Sequence, residues 1–220
     1  MNRKYVIGVA ATVMLCAVLA MPRTATAQNL LANPSFENGL AGWTTFGNVF
    51  AEVANPPQFV PHTGNGLVSM FGTFTGGFNV SGFFQEFPAT PGSSWTLDSW
   101  SRHWSGDAIP GDGPGGPAPN DNWVVQKIAF KDAGGVEIGF AESIILDGTS
   151  PTDVWIDNAP ITGVAPAGTA TAGAFLLYLQ PLFDGGAAHF DDVVFTPEPT
   201  SLACLGIGGL LLLRRRRRAH

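Results

Sequence analysis

Alternate positions between residues 98 and 104 combine aromatic rings with charged groups. They are Asp98, Trp100, Arg102 and Trp104. In an extended strand, residues two apart share one face, so these side chains would form a single row. Flat rings pack against the apolar side of a sugar ring, and polar groups beside them bind its hydroxyls. The row predicts a carbohydrate-binding face, to which neighbouring strands would contribute Gln85, Tyr178 and Gln180.

The same row has a plainer interpretation, in which the tryptophans form a second core layer or pack beneath a loop. Catalysis has little support in the sequence. Between residues 28 and 196 the histidines are isolated, and neither a His-Glu-x-x-His nor a Gly-x-Ser-x-Gly pattern occurs. The acidic residues there show no spacing that singles out a glycosidase acid and base. The sequence therefore favours a protein that is not an enzyme.

The first 27 residues have the order of a secretory signal peptide. Arg3 and Lys4 precede an apolar run over residues 5–20, and a small-x-small pattern follows at Ala25 and Ala27. We expect cleavage between Ala27 and Gln28. The following body would then fold outside the cytoplasm.

Residues 197–220 form a second targeting segment. Pro197, Glu198 and Pro199 precede an apolar stretch over 202–213, and five arginines follow. At about 1.5 Å per helical residue, this stretch spans the roughly 30 Å core of a bilayer only marginally. The flanking arginines would keep the preceding domain outside the cytoplasm.

This arrangement resembles the PEP-CTERM sorting signal of bacterial envelope proteins. The resemblance implies recognition of the Pro-Glu-Pro motif by an exosortase and transient anchoring in the inner membrane. It also implies delivery to the cell envelope or to an extracellular matrix rich in exopolysaccharide, such as a biofilm. A plain tail anchor is the alternative.

The charges and cysteines of the body, residues 28–196, limit its chemistry. It holds three basic and sixteen acidic residues, a formal charge of −13, although the whole chain has a formal charge of −6. Such a surface repels phosphate backbones, so we expect no nucleic-acid partner. Both cysteines lie outside the body, which excludes disulfides, thiolate metal sites and a cysteine nucleophile there.

The body is predicted to be all-β. Short runs rich in Val, Ile, Phe, Trp and Thr recur between Gly, Pro and Asn clusters, and no helical period is sustained. This pattern predicts an antiparallel jelly-roll β-sandwich over 28–196. Residues 105–121 would form a long surface loop because they are rich in Gly and Pro. We expect strands at 30–36, 49–53, 67–71, 82–87, 94–104, 123–131, 136–143, 153–158, 171–180 and 188–195.

Four segments of the body resemble the jelly-roll carbohydrate-binding modules of the galactose-binding-like superfamily. They are the opening Asn29–Gly39 with Gly42-Trp43, His62-Thr63-Gly64, Phe84-Gln85 with Pro91–Trp100, and the closing His189–Phe195. The resemblance implies extracellular polysaccharide as the ligand. It also implies one structural calcium ion bound by Glu37 and Asp191. The alternatives are a structural or adhesive matrix protein without a sugar site and a small polysaccharide-active enzyme.

Overall fold

The computed structural model describes residues 28–114 and 121–198, and Gln28–Glu198 form one compact unit. The predicted signal peptide with Ala27 lies outside the described residues, as do Pro199 and the rest of the C-terminal segment. Part of the predicted Gly- and Pro-rich loop, residues 115–120, also lies outside them. Within the described residues, no helix is long and apolar enough to cross a membrane.

Two antiparallel sheets pack face to face as a jelly-roll β-sandwich, so the predicted fold class is confirmed. One sheet has five strands in the order β1-β4-β10-β6-β7, and the other has six, with β2-β3-β11-β5-β8 in sequence and β9 beside β5. The strands are β1 Thr44–Phe46, β2 Asn48–Val53, β3 Gly66–Phe71, β4 Asn79–Pro88, β5 Ser94–Arg102, β6 Trp123–Lys131, β7 Glu137–Leu146, β8 Ile156–Asp157, β9 Ile161–Val164, β10 Thr171–Gln180 and β11 Ala187–Pro197.

The core lies between the sheets because alternate residues of each strand point inward. Phe83 on β4 is central to it. Its ring centroid lies 5.1 Å from that of Trp43 and 5.3 Å from that of Phe190 on β11, both in edge-to-face geometry. Phe36 approaches the same ring at 5.7 Å. Each buried side chain of this size stabilises the fold by about 1.5–3 kcal/mol, so these rings join both sheets to the opening segment.

The predicted strand at 30–36 is wrong, because this segment forms successive turns. Asn33 and Phe36 have positive φ angles of 51° and 54°, which are incompatible with an extended strand. The N–H of Gly39 then donates to the carbonyl of Phe36 at 2.9 Å. The opening motif is therefore a folded loop that packs Phe36 and Trp43 into the core.

The other differences concern strand ends and short strands. Strands β6 and β10 have the predicted bounds, whereas β5 ends at Arg102, two residues early. A single turn of 3-10 helix, Ser105–Asp107, follows directly and takes Trp104 off the sheet. The predicted strand at 153–158 is reduced to β8, and two short edge strands, β1 and β9, were not predicted.

The two ends of the body lie side by side. The N–H of Leu30 donates to the carbonyl of Phe195 at 3.0 Å. The side chain of Asn29 donates to the carbonyl of Val193 at 2.9 Å and accepts from the N–H of Phe195 at 3.0 Å. Glu198 still belongs to the folded unit, since its N–H donates to the carbonyl of Ser94 at 2.9 Å.

Candidate functional site

The outer face of the six-stranded sheet, here called the covered face, carries Asp98 and Trp100 as predicted, with Trp95 and Leu97 in the core. A strap formed by residues 54–63 crosses this face. The ring of His62 stacks on that of Trp100, with centroids 3.9 Å apart and planes at 17°. One side of the Trp100 ring is therefore already occupied by a protein side chain.

Arg102 is 3% exposed and fastens the strap. Its guanidinium donates to the carbonyl oxygens of Gln58 at 2.7 Å and Pro57 at 3.3 Å, and it lies 3.4 Å from a carboxylate oxygen of Asp153. Trp104 packs over Gly106 beyond the strand end, where an added Cβ would come within 2.4 Å of the indole. The structure therefore does not form the predicted row from Asp98 to Trp104.

Asp98 remains on the covered face, close to Trp100. One of its carboxylate oxygens is buried and has no hydrogen-bond partner among the described residues. Burial raises the pKa of Asp98, and the nearby charge of Asp157 acts in the same direction. Strand β8, which pairs with β5 and carries Asp157, lies beside this carboxylate.

The prediction that Gln85, Tyr178 and Gln180 join this face is wrong, because β4 and β10 belong to the other sheet and all three side chains point inward. Gln85 pairs with the backbone of Ala32, accepting at 3.0 Å and donating at 2.8 Å. The hydroxyl of Tyr178, whose side chain is fully buried, donates to the carbonyl of Gly186 at 2.7 Å. These polar groups satisfy backbone partners inside the sandwich.

The two predicted calcium ligands come from opposite ends of the chain and meet the same turn, residues 62–66. Glu37 Oε1 accepts from the N–H groups of Asn65 at 2.9 Å and Gly66 at 3.0 Å. Asp191 Oδ2 accepts from the N–H groups of His62 at 2.9 Å and Thr63 at 3.0 Å. Burial, the largest effect, raises the pKa of Asp191 to about 6.

The groups around these carboxylates are donors. The remaining oxygens also accept N–H groups, Asp191 Oδ1 from Asp192 at 2.8 Å and Glu37 Oε2 from Asn65 at 3.1 Å. Calcium needs six to eight oxygen ligands, and an N–H points its hydrogen where the cation would lie. The described residues contain no group of three or more His, Cys, Asp or Glu able to hold a metal. As they lie here, they fit a fastened turn and do not fit a calcium centre; calcium binding stays a prediction.

The outer face of the five-stranded sheet, here called the open face, contains a cavity of about 510 Å³. The cavity lies over β10, β6 and β7, and the loop that precedes β6 closes one side of it through Pro114. Its lining is mainly apolar with a few polar groups at one side. The lining residues are Pro114, Trp123, Val125, Glu142, Ser143, Ile144, Leu177 and Leu179.

An aromatic platform continues the open face beside the cavity. The rings of Phe84 on β4 and Phe175 on β10 stack, with centroids 4.6 Å apart and planes at 13°. Phe175 shares its face of β10 with Leu177 and Leu179, which line the cavity. The cavity and the platform therefore form one continuous surface.

Charged side chains border the platform as ion pairs. Lys131 Nζ pairs with Glu86 and lies 5.2 Å from the centroid of the Phe175 ring. Lys127 Nζ lies 2.9 Å from a carboxylate oxygen of Glu137 and 4.5 Å from the centroid of the Phe140 ring. These groups offer hydrogen-bond donors and acceptors next to flat apolar surfaces, which is the chemistry that a sugar ring requires.

Sequence reasoning missed the open face, although β10 carried a signal. Over residues 171–180 both alternating sets are largely apolar, with Phe175, Leu177 and Leu179 on one side and Leu176 and Tyr178 on the other. One side of β10 packs in the core. The second apolar side therefore indicated an apolar outer surface that could bind a ligand or a partner. The prediction followed the tryptophan row of β5, on the other sheet.

Comparison with family models identifies the C-terminal segment. The model described as the PEP-CTERM protein-sorting motif matches residues 195–218. The match confirms the predicted sorting signal and indicates an exported protein that an exosortase sorts. A comparison with curated proteins finds no match.

Comparison with solved structures finds similar sandwiches. The enzymatically active domain of tailspike protein 4 from bacteriophage CBA120 has a TM-score of 0.51 at 15% identity, over 77% of this chain and 21% of that chain. The module TmCBM61, solved with β-1,4-galactotriose, has a TM-score of 0.49 at 19% identity, over 78% and 99% of the two chains. A family 16 carbohydrate-binding module has a TM-score of 0.47 at 15% identity, over 76% and 99%. At these identities the likeness is one of fold alone.

Proposed function

We propose that this exported protein binds extracellular polysaccharide, without catalysis, through its open face. The observation that carries the proposal is the cavity lined by Trp123, Leu177 and Leu179 beside the stacked pair Phe84 and Phe175. Apolar and aromatic surface would take the C–H side of the sugar rings. Lys127, Glu142 and Ser143 would bind hydroxyl groups.

The charge distribution favours a neutral glycan. The body carries sixteen acidic residues against three basic ones, and the two lysines on the open face are already paired with Glu86 and Glu137. A polymer rich in carboxylates or sulfates would meet a repulsive field. We therefore expect a neutral polysaccharide.

A binding role without catalysis is supported by the cavity lining. Glu142 is its carboxylate, and the other described residues that line it offer no second one. Hydrolysis of a glycosidic bond needs two carboxylic groups on either side of the bond. The sorting motif would deliver such a binding protein to the cell envelope or to a biofilm matrix, with release from the inner membrane by the exosortase.

A glycan array and affinity electrophoresis in polysaccharide gels test the proposal. The protein should be retained by at least one neutral polysaccharide, and Trp123→Ala should abolish most of that retention. Phe50→Ala is the matched control, because Phe50 is an exposed aromatic residue on the six-stranded sheet. A protein that binds no glycan in either assay would instead serve a structural or adhesive role.

Processing is tested separately by mass spectrometry of the protein from the producing cells. We expect a mature chain that begins at Gln28 and lacks the arginine cluster. A chain that still ends at His220 would contradict removal of the tail by the exosortase.

A further inference from the structure

Two loops at one end of the sandwich carry exposed phenylalanines. Residues 72–78 join β3 to β4, and Phe78 among them is 63% exposed. Residues 181–186 join β10 to β11, and Phe183 among them is 64% exposed. The two loops touch, since a Cβ added at Gly76 would come within 2.5 Å of the Phe183 ring. We call this joint surface the rim.

A buried glutamine fixes the rim from below. Gln180 is fully buried, and its Oε1 accepts from the N–H of Phe74 at 2.8 Å and from Nδ2 of Asn79 at 3.0 Å. Its Nε2 donates to the carbonyl of Asp184 at 2.7 Å. One side chain thus ties both loops to the end of β10.

A second pair of buried groups holds the loop 181–186. Nδ2 of Asn122 donates to the carbonyl of Asp184 at 2.7 Å and to the hydroxyl of Tyr178 at 3.0 Å. The Tyr178 hydroxyl donates onward to the carbonyl of Gly186 at 2.7 Å. These buried hydrogen bonds restrain the backbone of the loop, although Asn122 Oδ1 has no partner among the described residues. The rim therefore presents its phenylalanines in a restrained arrangement.

The rim is continuous with the cavity. Phe78 immediately precedes β4, and its ring centroid lies 6.4 Å from that of Trp123, which lines the cavity. Exposed aromatic rings add little stability to the fold, because they bury little surface. When they are held in place on neighbouring loops, they indicate a binding surface. A ligand bound at Trp123 would therefore lie close enough to contact Phe78.

We propose that a polysaccharide chain bound in the cavity leaves it across Phe78 and continues over Phe183, so that the protein selects long chains over short oligosaccharides. This inference rests on the proposed function and assigns to Gln180 and Tyr178 a positioning role beneath the ligand path. The ligand class is a neutral glycan longer than the cavity.

The composition of the rim disfavours a membrane as its occupant. Residues 72–78 and 181–186 contain no lysine or arginine, and the second loop contains Asp184. Loops that insert into bacterial membranes combine apolar side chains with basic residues that attract anionic lipids. A neutral polysaccharide makes no such demand.

The test measures how affinity depends on chain length. Isothermal titration of the full-length protein in detergent would use β-linked trisaccharides and octasaccharides of glucose, xylose and galactose. We expect the octasaccharide of the bound type to bind roughly tenfold more tightly than the trisaccharide. Phe78→Ala and Phe183→Ala should each remove most of this gain, and Phe183→Ala should leave trisaccharide affinity unchanged. Phe78→Tyr and the control Phe50→Ala should retain the gain.

The outcomes separate this inference from the proposed function. Trisaccharide and octasaccharide bound with equal affinity, in the parent and in Phe78→Ala, would overturn the rim path while glycan binding stands. Absence of binding to every oligosaccharide would overturn both. Binding to vesicles of phosphatidylethanolamine and phosphatidylglycerol that is lost in Phe78→Ala would assign the rim to a membrane and overturn the inference.

Discussion

The two outer faces of the sandwich use the same kinds of residue and differ in what lies over them. The covered face holds Trp100 and Arg102 beneath the strap, whereas the open face holds Trp123 and the Phe84–Phe175 pair beside a cavity. A tryptophan beside a charged residue therefore does not by itself define a sugar site. The course of the neighbouring loop decides whether the pair contacts the protein or a ligand.

Coverage also changes the electrostatics. On the covered face, burial raises the pKa of Asp191 to about 6 and lowers that of His189 to about 4. On the open face, both lysines form ion pairs at the surface. Variants of the covered face should therefore act on stability, and variants of the open face should act on binding.

Arg102→Ala should give the largest effect. It leaves the carbonyl groups of Pro57 and Gln58 without their buried donor and removes a side chain that is 3% exposed. We expect a loss of about 3–4 kcal/mol in the free energy of unfolding, measured by urea denaturation. Glycan affinity of the folded fraction should be unchanged. Weaker binding with unchanged stability would place the sugar site on the covered face.

The stability of the covered face should depend on pH through His189. Burial first, and then the charge of Arg102, lowers its pKa from 6.5 to about 4 in the folded state. Between these two values His189 binds a proton in the unfolded chain and not in the folded one. The free energy of unfolding therefore falls by about 1.4 kcal/mol per pH unit as pH drops from 6.5 to about 4. Asp191 has the opposite effect. Its pKa is raised to about 6, so the stability that it contributes in its protonated form is lost as pH rises from about 4 to 6.

Two variants separate these opposing slopes. In His189→Asn, the free energy of unfolding should decrease as pH rises from about 4 to 6, because Asp191 alone remains. In Asp191→Asn it should increase as pH rises over the same interval, because His189 alone remains. Thermal melts across this range provide the measurement. Identical pH profiles for the two variants would show that neither group is buried as described.

Trp123→Ala and Trp100→Ala compare the faces directly. Removing Trp123 from the cavity should weaken polysaccharide binding by about thirtyfold, or about 2 kcal/mol, with a small change in melting temperature. Removing Trp100 should lower the melting temperature, since the ring packs against His62, and should leave binding intact. Retention of the variants in polysaccharide gels, read beside their melts, distinguishes the faces, and the reverse pattern would contradict the assignment.

Glu37→Ala should give the smallest effect. The variant loses the acceptor for the N–H groups of Asn65 and Gly66 at a partly exposed turn, a cost of about 1–2 kcal/mol. Because N–H donors occupy both carboxylates, we expect EDTA to leave the melting temperature of the parent unchanged, in contrast to the calcium ion that the family resemblance implies. A melting temperature that rises with added calcium, and no longer does so in Glu37→Ala, would show that the carboxylates turn from their N–H donors to a cation.

The sequence was sufficient for the fold class but not for the sheet to which each predicted site residue belongs. Alternation set Trp95 and Leu97 on the face opposite Asp98 and Trp100, and β-rich segments between turns predicted two of the strands to the residue, β6 and β10. These features depend on local periodicity. The assignment of β4 and β10 to the sheet opposite β5 depends on which strands pair, and no local pattern encodes that.

The opening segment shows a second limit. Leu31 and Phe36 are both buried although, five residues apart, they would point to opposite faces of a strand; positive φ angles at Asn33 and Phe36 instead fold the segment into turns. Apolar spacing alone does not separate a strand from a loop whose side chains reach the core. The contact of the strap with Arg102 could not be predicted from side-chain types either, because backbone carbonyl groups of the strap accept the hydrogen bonds of Arg102.

The position of β11 has a mechanical consequence. This last strand lies in the middle of its sheet, hydrogen-bonded to β3 on one side and to β5 on the other, and the chain leaves the fold from its end. A pull on the C-terminal end of the fold would therefore run along β11 and load its hydrogen bonds to β3 and β5 together. Shearing a central strand demands far more force than peeling an edge strand, so the fold is suited to carrying tension.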